Sequence, residues 1–294
     1  MKLNKLGALV LAGVMAFSFA ACGTSGTEKV NVTNENVNTV LKNAKNKLTK
    51  VNELSAQMTL EMGLAMGDEV SEAVNLTTIK DVKTPVFKEI QTTSFQDGVE
   101  AEGHLEVYIK EDGGKTYLYT PYEEEWYKQE IESYYVGYLF GQYYVTENAV
   151  KLMDNIDNIS VTGKDNGLFE ISCQVPAENV FSLVDGTGVF TYVFESLSQD
   201  LFNITKPVDA KIWVDETGMV VKYAIDYTSA LQDVFNTIYS YYGASLSSTD
   251  LNVSNYVITV EMSDFDALGA VDLPDYAKNA GEFEEIGEDI LTIE

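Results

Sequence analysis

The chain has no arginine, one histidine and two cysteines among 294 residues, and these shortages exclude several classes of function. All 19 basic residues are lysines, set against 46 acidic residues, which gives a formal net charge of −27. Phosphate neutralisation needs positive charge, and base or phosphate recognition favours the guanidinium fork of arginine. Nucleic acid is therefore not expected as a partner.

Catalytic and metal-binding patterns are also scarce. The one histidine, His104, is out of register with the apolar positions Leu105 and Val107, so we predict that it lies on the opposite face of its strand. A hydrolytic triad or a zinc site would need partners that this pattern does not supply. The acidic run at residues 123–125 lacks the spacing of a calcium loop. We expect a protein that is not an enzyme and that has no metal site and no cofactor.

The first 22 residues have the features of a secretory signal. Lys2 and Lys5 precede an apolar run over residues 6–21, which is short for a membrane span and ends in small residues. The sequence Phe-Ala-Ala-Cys at residues 19–22 resembles the lipobox of bacterial lipoproteins. That resemblance implies that Cys22 is diacylated, with palmitate-like chains, and anchors the protein to the outer side of the cell membrane. Ordinary cleavage after Ala20 is the alternative.

With Cys22 acylated, Cys173 would be left without a disulfide partner, which excludes a disulfide-stabilised scaffold. Cys173 falls on the same side of a predicted strand as Phe169 and Ile171, so we expect a small buried apolar residue instead of a nucleophile. The small and polar composition of residues 23–35 predicts a flexible tether that follows the lipidated cysteine.

Residues 55–66 alternate between apolar and polar side chains without interruption, which predicts a long half-buried strand. Such a strand is typical of an antiparallel sheet, and its length favours strong curvature around an enclosed layer. Two alternatives remain for that layer: helices of the same chain, or a cavity for an apolar ligand. The second alternative predicts that the inward side chains of this strand line the cavity, namely Met58, Leu60, Met62, Leu64 and Met66.

A tyrosine-rich segment over residues 127–144 separates the two halves of the chain. It is predicted either to be a helix that covers the open end of the sheet or to be a mobile lid over an apolar pocket. The second alternative adds Tyr134 and Tyr138 to the predicted cavity lining. Thr146 is then predicted to be the N-cap of a helix that ends at Met153.

The remaining periodicity predicts an α+β order of elements, with the first helix over residues 36–52. Strands follow it, and the Asn166-Gly167 pair predicts a tight hairpin in the second half. The predicted domains are a signal peptide at 1–21, the lipidated cysteine and tether at 22–35, one domain at 36–280, and an acidic tail at 281–294.

This order resembles the fold of the lipoprotein and lipid carriers of the LolA, LolB and LppX type, and is similar to a Gram-positive lipoprotein family of unknown function. The resemblance is carried by the lipobox, the helix and strand up to residue 66, and the segments 112–129, 212–218 and 273–278. It implies an unclosed antiparallel half-barrel that cups several helices and binds a lipid or acyl chain between sheet and helices. The alternative is a structural or interaction lipoprotein with a self-filled core and a cell-envelope protein as its partner.

Overall fold

The computed structural model describes residues 29–102, 104–123, 125–187, 189–190, 199–242 and 251–282. The predicted signal peptide, Cys22, residues 23–28 and the acidic tail beyond residue 282 lie outside the described residues.

The described residues form thirteen strands and six helices, and their first strand is the one that the alternating pattern predicts. The strands are β1 (Glu53–Met66), β2 (Glu69–Lys83), β3 (Val86–Gln96), β4 (Val99–Glu100), β5 (Leu105–Asp112), β6 (Lys115–Tyr122), β7 (Glu125–Glu130), β8 (Asp157–Asp165), β9 (Leu168–Val175), β10 (Val208–Val214), β11 (Val220–Asp226), β12 (Leu251–Ser263) and β13 (Gly281–Glu282). The helices are α1 (Val37–Leu48), α2 (Ser133–Phe140), α3 (Val145–Asp154), α4 (Ala177–Thr187), α5 (Thr228–Tyr242) and α6 (Asp275–Lys278).

All strands belong to one curved sheet with the order β13-β7-β6-β5-β3-β2-β1-β12-β11-β10-β9-β8, and β4 adds to β3. The pairs are antiparallel except for the pair of β13 with β7. In the described part of the chain the two end strands, β13 and β8, do not pair, so the sheet is unclosed. The predicted fold class, an α+β protein with an unclosed and curved antiparallel sheet, is confirmed.

The face of the sheet that carries the helices, here the inner face, is apolar and packed. Alternate residues of β1, such as Met58 and Leu60, are buried there at 2% exposure. They belong to one cluster with side chains from four helices: Leu41 and Leu48 of α1, Ala149 and Leu152 of α3, Val180 and Leu183 of α4, and Leu231 and Val234 of α5. The helices therefore form the layer that the curved sheet encloses.

The opposite face, here the outer face, is crossed by a C-terminal strap made of residues 264–282. Leu273 and Ala277 of the strap are buried in a second, smaller cluster that includes Tyr108 of β5. Hydrogen bonds from Lys110 and Lys278 hold the pKa of Asp272 in the strap well below its usual range. The strap ends by pairing β13 with β7, so residues 281 and 282 are part of the sheet and not of a separate tail.

The folded body begins before the predicted boundary at residue 36. Val32 is 5% exposed in the main core, and the Val30 amide donates a hydrogen bond to the carbonyl of Glu216 at 2.8 Å. The Lys29 ammonium lies 2.5 Å from the carboxylate of the same Glu216. Val30 and Val32 are two apolar residues in an otherwise polar segment, and their packing holds this segment against the body. Two residues are too few to produce a recognisable periodicity in the sequence. Residues 29–35 are thus part of the body.

Cys173 lies on the inner face of β9 and is 3% exposed, as predicted. Burial raises the pKa of its thiol to about 12, and the nearby carboxylates of Asp157 and Asp209 raise it further. We therefore expect no alkylation by iodoacetamide at pH 8 in the native protein and complete alkylation in denaturant, because the thiolate is the reactive form. Mass spectrometry of the treated chain checks this, and rapid native labelling would contradict it.

Candidate functional site

The residues predicted to line an inner cavity are distributed from the core to the surface. Met58 and Leu60 are fully packed, Met62 and Leu64 are half-buried against the same cluster, and Met66 is 54% exposed. The register of β1 shifts between Gly63 and Leu64, and the exposure of the predicted inward positions rises from Leu60 to Met66. Met66 faces solvent, although the alternation predicts the inner side for it.

The tyrosine-rich segment forms the short helix α2, which turns one side towards the core. Val136 is 3% exposed there, whereas Tyr134 and Tyr138, one helical turn apart, are 63% and 72% exposed. The structure therefore places both tyrosines on the surface instead of in an interior cavity lining. The following helix α3 starts at Val145, so Thr146 lies within its first turn, and the prediction that Thr146 is the N-cap is wrong.

A large cavity lies on the outer face, and we call it the outer groove. Its volume is about 780 Å³, and its lining comes from β1–β3, the end of β8 and the turn after it, β9–β12 and the first residue of the strap. Representative lining side chains are Gln57, Leu168, Glu170, Trp213, Lys222 and Glu261. The sheet thus offers a concave surface on the face opposite its helices.

Strand register brings these side chains together from distant parts of the sequence. Gln57 of β1 pairs with Glu261 of β12, which in turn pairs with Lys222 of β11. Trp213 of β10 pairs with Lys222 on one side and with Glu170 of β9 on the other. Because neighbours across strands point to the same face, these five residues form one continuous row across the groove.

The lysines of the groove are matched with carboxylates. The Lys222 ammonium lies 2.7 Å from the Glu261 carboxylate and 5.1 Å from the centroid of the Trp213 ring. Lys80 lies 2.9 Å from Glu89 in the neighbouring part of the lining. Partly exposed ion pairs of this kind add little to stability. Because each of these lysines already has a carboxylate partner, the groove offers a polar surface whose positive charges are compensated.

A second polar feature lies on the inner face, where Asp81 of β2 and Lys88 of β3 are cross-strand partners. We call them the buried pair: their side chains are 1% and 4% exposed, and the ammonium lies 2.5 Å from one carboxylate oxygen. The ammonium also lies 3.9 Å from the ring centroid of Tyr144, which precedes α3. Burial raises the pKa of Tyr144 to about 12, with Asp81 and Glu147 adding to the effect, so this ring stays neutral.

The buried pair was not predicted, although the alternation of β2 contains the signal. Ile79 faces the core at 1% exposure, so the same period of two puts Asp81 on that face. The second carboxylate oxygen of Asp81 has no hydrogen-bond partner among the described residues. The buried pair connects β2 and β3 with the segment that leads into α3. We therefore interpret it as a feature that holds the fold together.

The described residues contain neither a metal-site pattern nor a transmembrane-helix pattern. No group of three histidine, cysteine, aspartate or glutamate side chains there is arranged to hold a metal ion. None of the described helices has the length and apolar character that crossing a bilayer requires.

No protein-family model matches the chain, and no curated protein matches it by sequence. Solved structures that it resembles include LprF from Mycobacterium bovis, with 9% identity and a TM-score of 0.45, over 84% of this chain and 100% of that one. An outer membrane lipoprotein-sorting protein domain from Vibrio parahaemolyticus has 11% identity and a TM-score of 0.22, over 83% and 97%. A DUF1329 family protein from Desulfovibrio piger has 9% identity and a TM-score of 0.23, over 80% and 93%.

Proposed function

We propose that the chain is a lipoprotein of the cell envelope that is anchored through Cys22, faces the outside of the membrane and binds an amphipathic ligand without catalysis. The binding site in this proposal is the outer groove. The observation that carries the proposal is the volume of about 780 Å³, which lies within the range of small-molecule sites. The proposal keeps the predicted lipid-like ligand and moves it from the inner face to the outer face, because core side chains pack the inner face.

The lining of the groove suits a ligand with an apolar and a polar part. Trp213 and Leu168 are half-buried and offer apolar surface, while Glu170, Lys222 and Glu261 surround the tryptophan with paired charges. Covering the tryptophan and the leucine would gain roughly 25 cal/mol for each Å² of apolar surface removed from water. The polar part of the ligand would then stay at the hydrated row of charges.

We expect Trp213→Ala to weaken ligand binding by about tenfold, because the aromatic side chain is the largest apolar contact in the groove. The experiment uses the mature chain with Cys22→Ser, gently purified, and native mass spectrometry to identify a co-purifying ligand. Titration of the emptied protein with that ligand then gives the affinity of each variant.

The matched control is Trp126→Phe, because Trp126 is the other of the two tryptophans. Trp126 packs against Tyr108 and Tyr276 beneath the strap and does not line the groove. We expect this variant to retain full affinity and to report binding through the emission of Trp213 alone. Equal affinities for Trp213→Ala and the parent chain would refute the groove as the site.

The exposed tyrosines favour a second candidate function, an interaction lipoprotein that binds a protein of the cell envelope. Tyr134 and Tyr138 present aromatic surface on α2, and aromatic side chains are enriched at interfaces. The same mass spectrometry separates the candidates. A ligand that co-purifies with the protein at a ratio near one to one supports binding in the groove. A protein mass that stays unchanged when lipids are added favours the interaction protein.

A further inference from the structure

We infer that the outer groove selects an amphipathic ligand whose head group is positively charged. This inference rests on the proposed function and adds the charge class of the ligand. The inference follows from the ion pairs of the lining, because some of its charged side chains have an oppositely charged partner and others do not.

The carboxylates of the groove outnumber its ammonium groups. The lining contains five acidic residues, Glu89, Asp165, Glu170, Glu261 and Asp264, and three lysines, Lys80, Lys164 and Lys222. Each of these lysines has a carboxylate within 4 Å: Glu89, Glu216 and Glu261 respectively. An anionic head group would have to draw a lysine from its partner, and at Lys80 or Lys222 this would take the ammonium away from Glu89 or Glu261.

Two carboxylates of the lining are not balanced by an ammonium. Asp165 accepts a hydrogen bond from the Asn166 side chain at 3.1 Å, and Asp264 accepts one from the Ser263 hydroxyl at 3.1 Å. In the described part of the chain neither forms an ion pair, whereas Glu170 pairs with Lys211 at 3.0 Å. A cationic head group that reaches either carboxylate would not have to displace an ammonium from it.

The negative net charge of the whole chain also favours a cationic ligand. Cleavage before Cys22 removes Lys2 and Lys5 and no acidic residue, so the formal net charge of the mature chain is −29. A field of one sign raises the local concentration of oppositely charged ligands, and salt screens it over about 8–10 Å. Anionic amphiphiles are repelled by the same field before they reach the groove.

The test compares three amphiphiles with the same twelve-carbon chain: dodecyltrimethylammonium, dodecyl maltoside and dodecyl sulfate, each below its micelle concentration. The protein is the mature chain with Cys22→Ser and Trp126→Phe, so that the emission of Trp213 reports binding. We expect the cationic amphiphile to bind about tenfold more tightly than the neutral one, and the anionic one to bind most weakly.

Asp165→Asn with Asp264→Asn is expected to reduce the cationic preference to less than about threefold. The matched control is Asp68→Asn with Glu69→Gln, which removes the same two charges at the exposed turn after β1. That turn lies roughly 35 Å along β1 from the groove. We expect the control to keep the preference.

The outcomes separate the inference from the proposed function. Binding of all three amphiphiles without a cationic preference would overturn the head-group inference and leave the groove as the site. An equal loss of preference in both double variants would also overturn it, because net charge would then select the ligand. If none of the three amphiphiles bound the parent chain, the proposed function itself would fail.

Discussion

Lys88→Ala is expected to lower the free energy of unfolding by about 3–5 kcal/mol, because it leaves the carboxylate of Asp81 buried without its counter-charge. Asp81 is 1% exposed, and one of its oxygens already lacks a hydrogen-bond partner among the described residues. The substitution also removes the ammonium from the ring of Tyr144. Urea denaturation followed by circular dichroism measures the change.

Two further variants separate the buried charge from other effects of the substitution. Asp81→Leu combined with Lys88→Met replaces both charges by apolar side chains of similar size, and we expect stability within about 1 kcal/mol of the parent chain. Lys222→Ala breaks a partly exposed pair on the outer face and should cost less than about 1 kcal/mol. Full stability of Lys88→Ala would refute a role of the buried pair in holding the strands and α3 together.

Cys22→Ser is expected to move the protein almost completely from the membrane fraction to the soluble fraction. In the proposed anchor, two acyl chains would contribute about 0.8 kcal/mol for each buried methylene group, and the variant would lack both chains. The acidic body does not replace that attraction, since an anionic membrane surface repels it. Fractionation of cells and mass spectrometry of the N-terminal peptide give the result.

Cys173→Ala is the matched control for the anchor, because it removes the other cysteine. That thiol is buried on β9, so the variant should stay in the membrane fraction even if it is somewhat less stable. A Cys22→Ser protein that remained in the membrane fraction would rule out the lipid anchor. An N-terminal peptide that begins at Ala21 without acyl chains would indicate ordinary cleavage.

Local patterns predicted the elements that depend on neighbouring residues. The period of two over residues 55–66 predicted β1, and the Asn166-Gly167 pair predicted the turn between β8 and β9. Both signals lie within a few residues, where backbone geometry and side-chain alternation act directly. The prediction of Thr146 as a cap failed because the N-cap is Tyr144, two residues earlier, and Thr146 is buried within the first turn of α3.

The candidate site could not be predicted in this way, because it depends on which distant strands become neighbours. Gln57 and Glu261 are paired across about two hundred residues, and alternation alone does not determine that register. The same limit explains Met66, which is 54% exposed: the pattern predicts the face of the strand, whereas tertiary packing decides whether that face is covered. The buried pair, in contrast, follows local alternation, because Ile79 and Ile90 face the core and the period of two puts Asp81 and Lys88 on the same side.

The contact of Lys29 with Glu216 has a consequence for how the proposed site would work in the cell. Glu216 also lies 3.6 Å from Lys164, which lines the outer groove, so the chain enters the body beside the groove. Seven peptide steps connect Cys22 with Lys29, a maximum span of roughly 25 Å. With the anchor in place, the tether would hold the groove near the membrane surface, where a lipid of the same leaflet is confined to a thin layer. Such a ligand would be met at a higher local concentration than in dilute solution, so a site of modest affinity could still be occupied at the membrane.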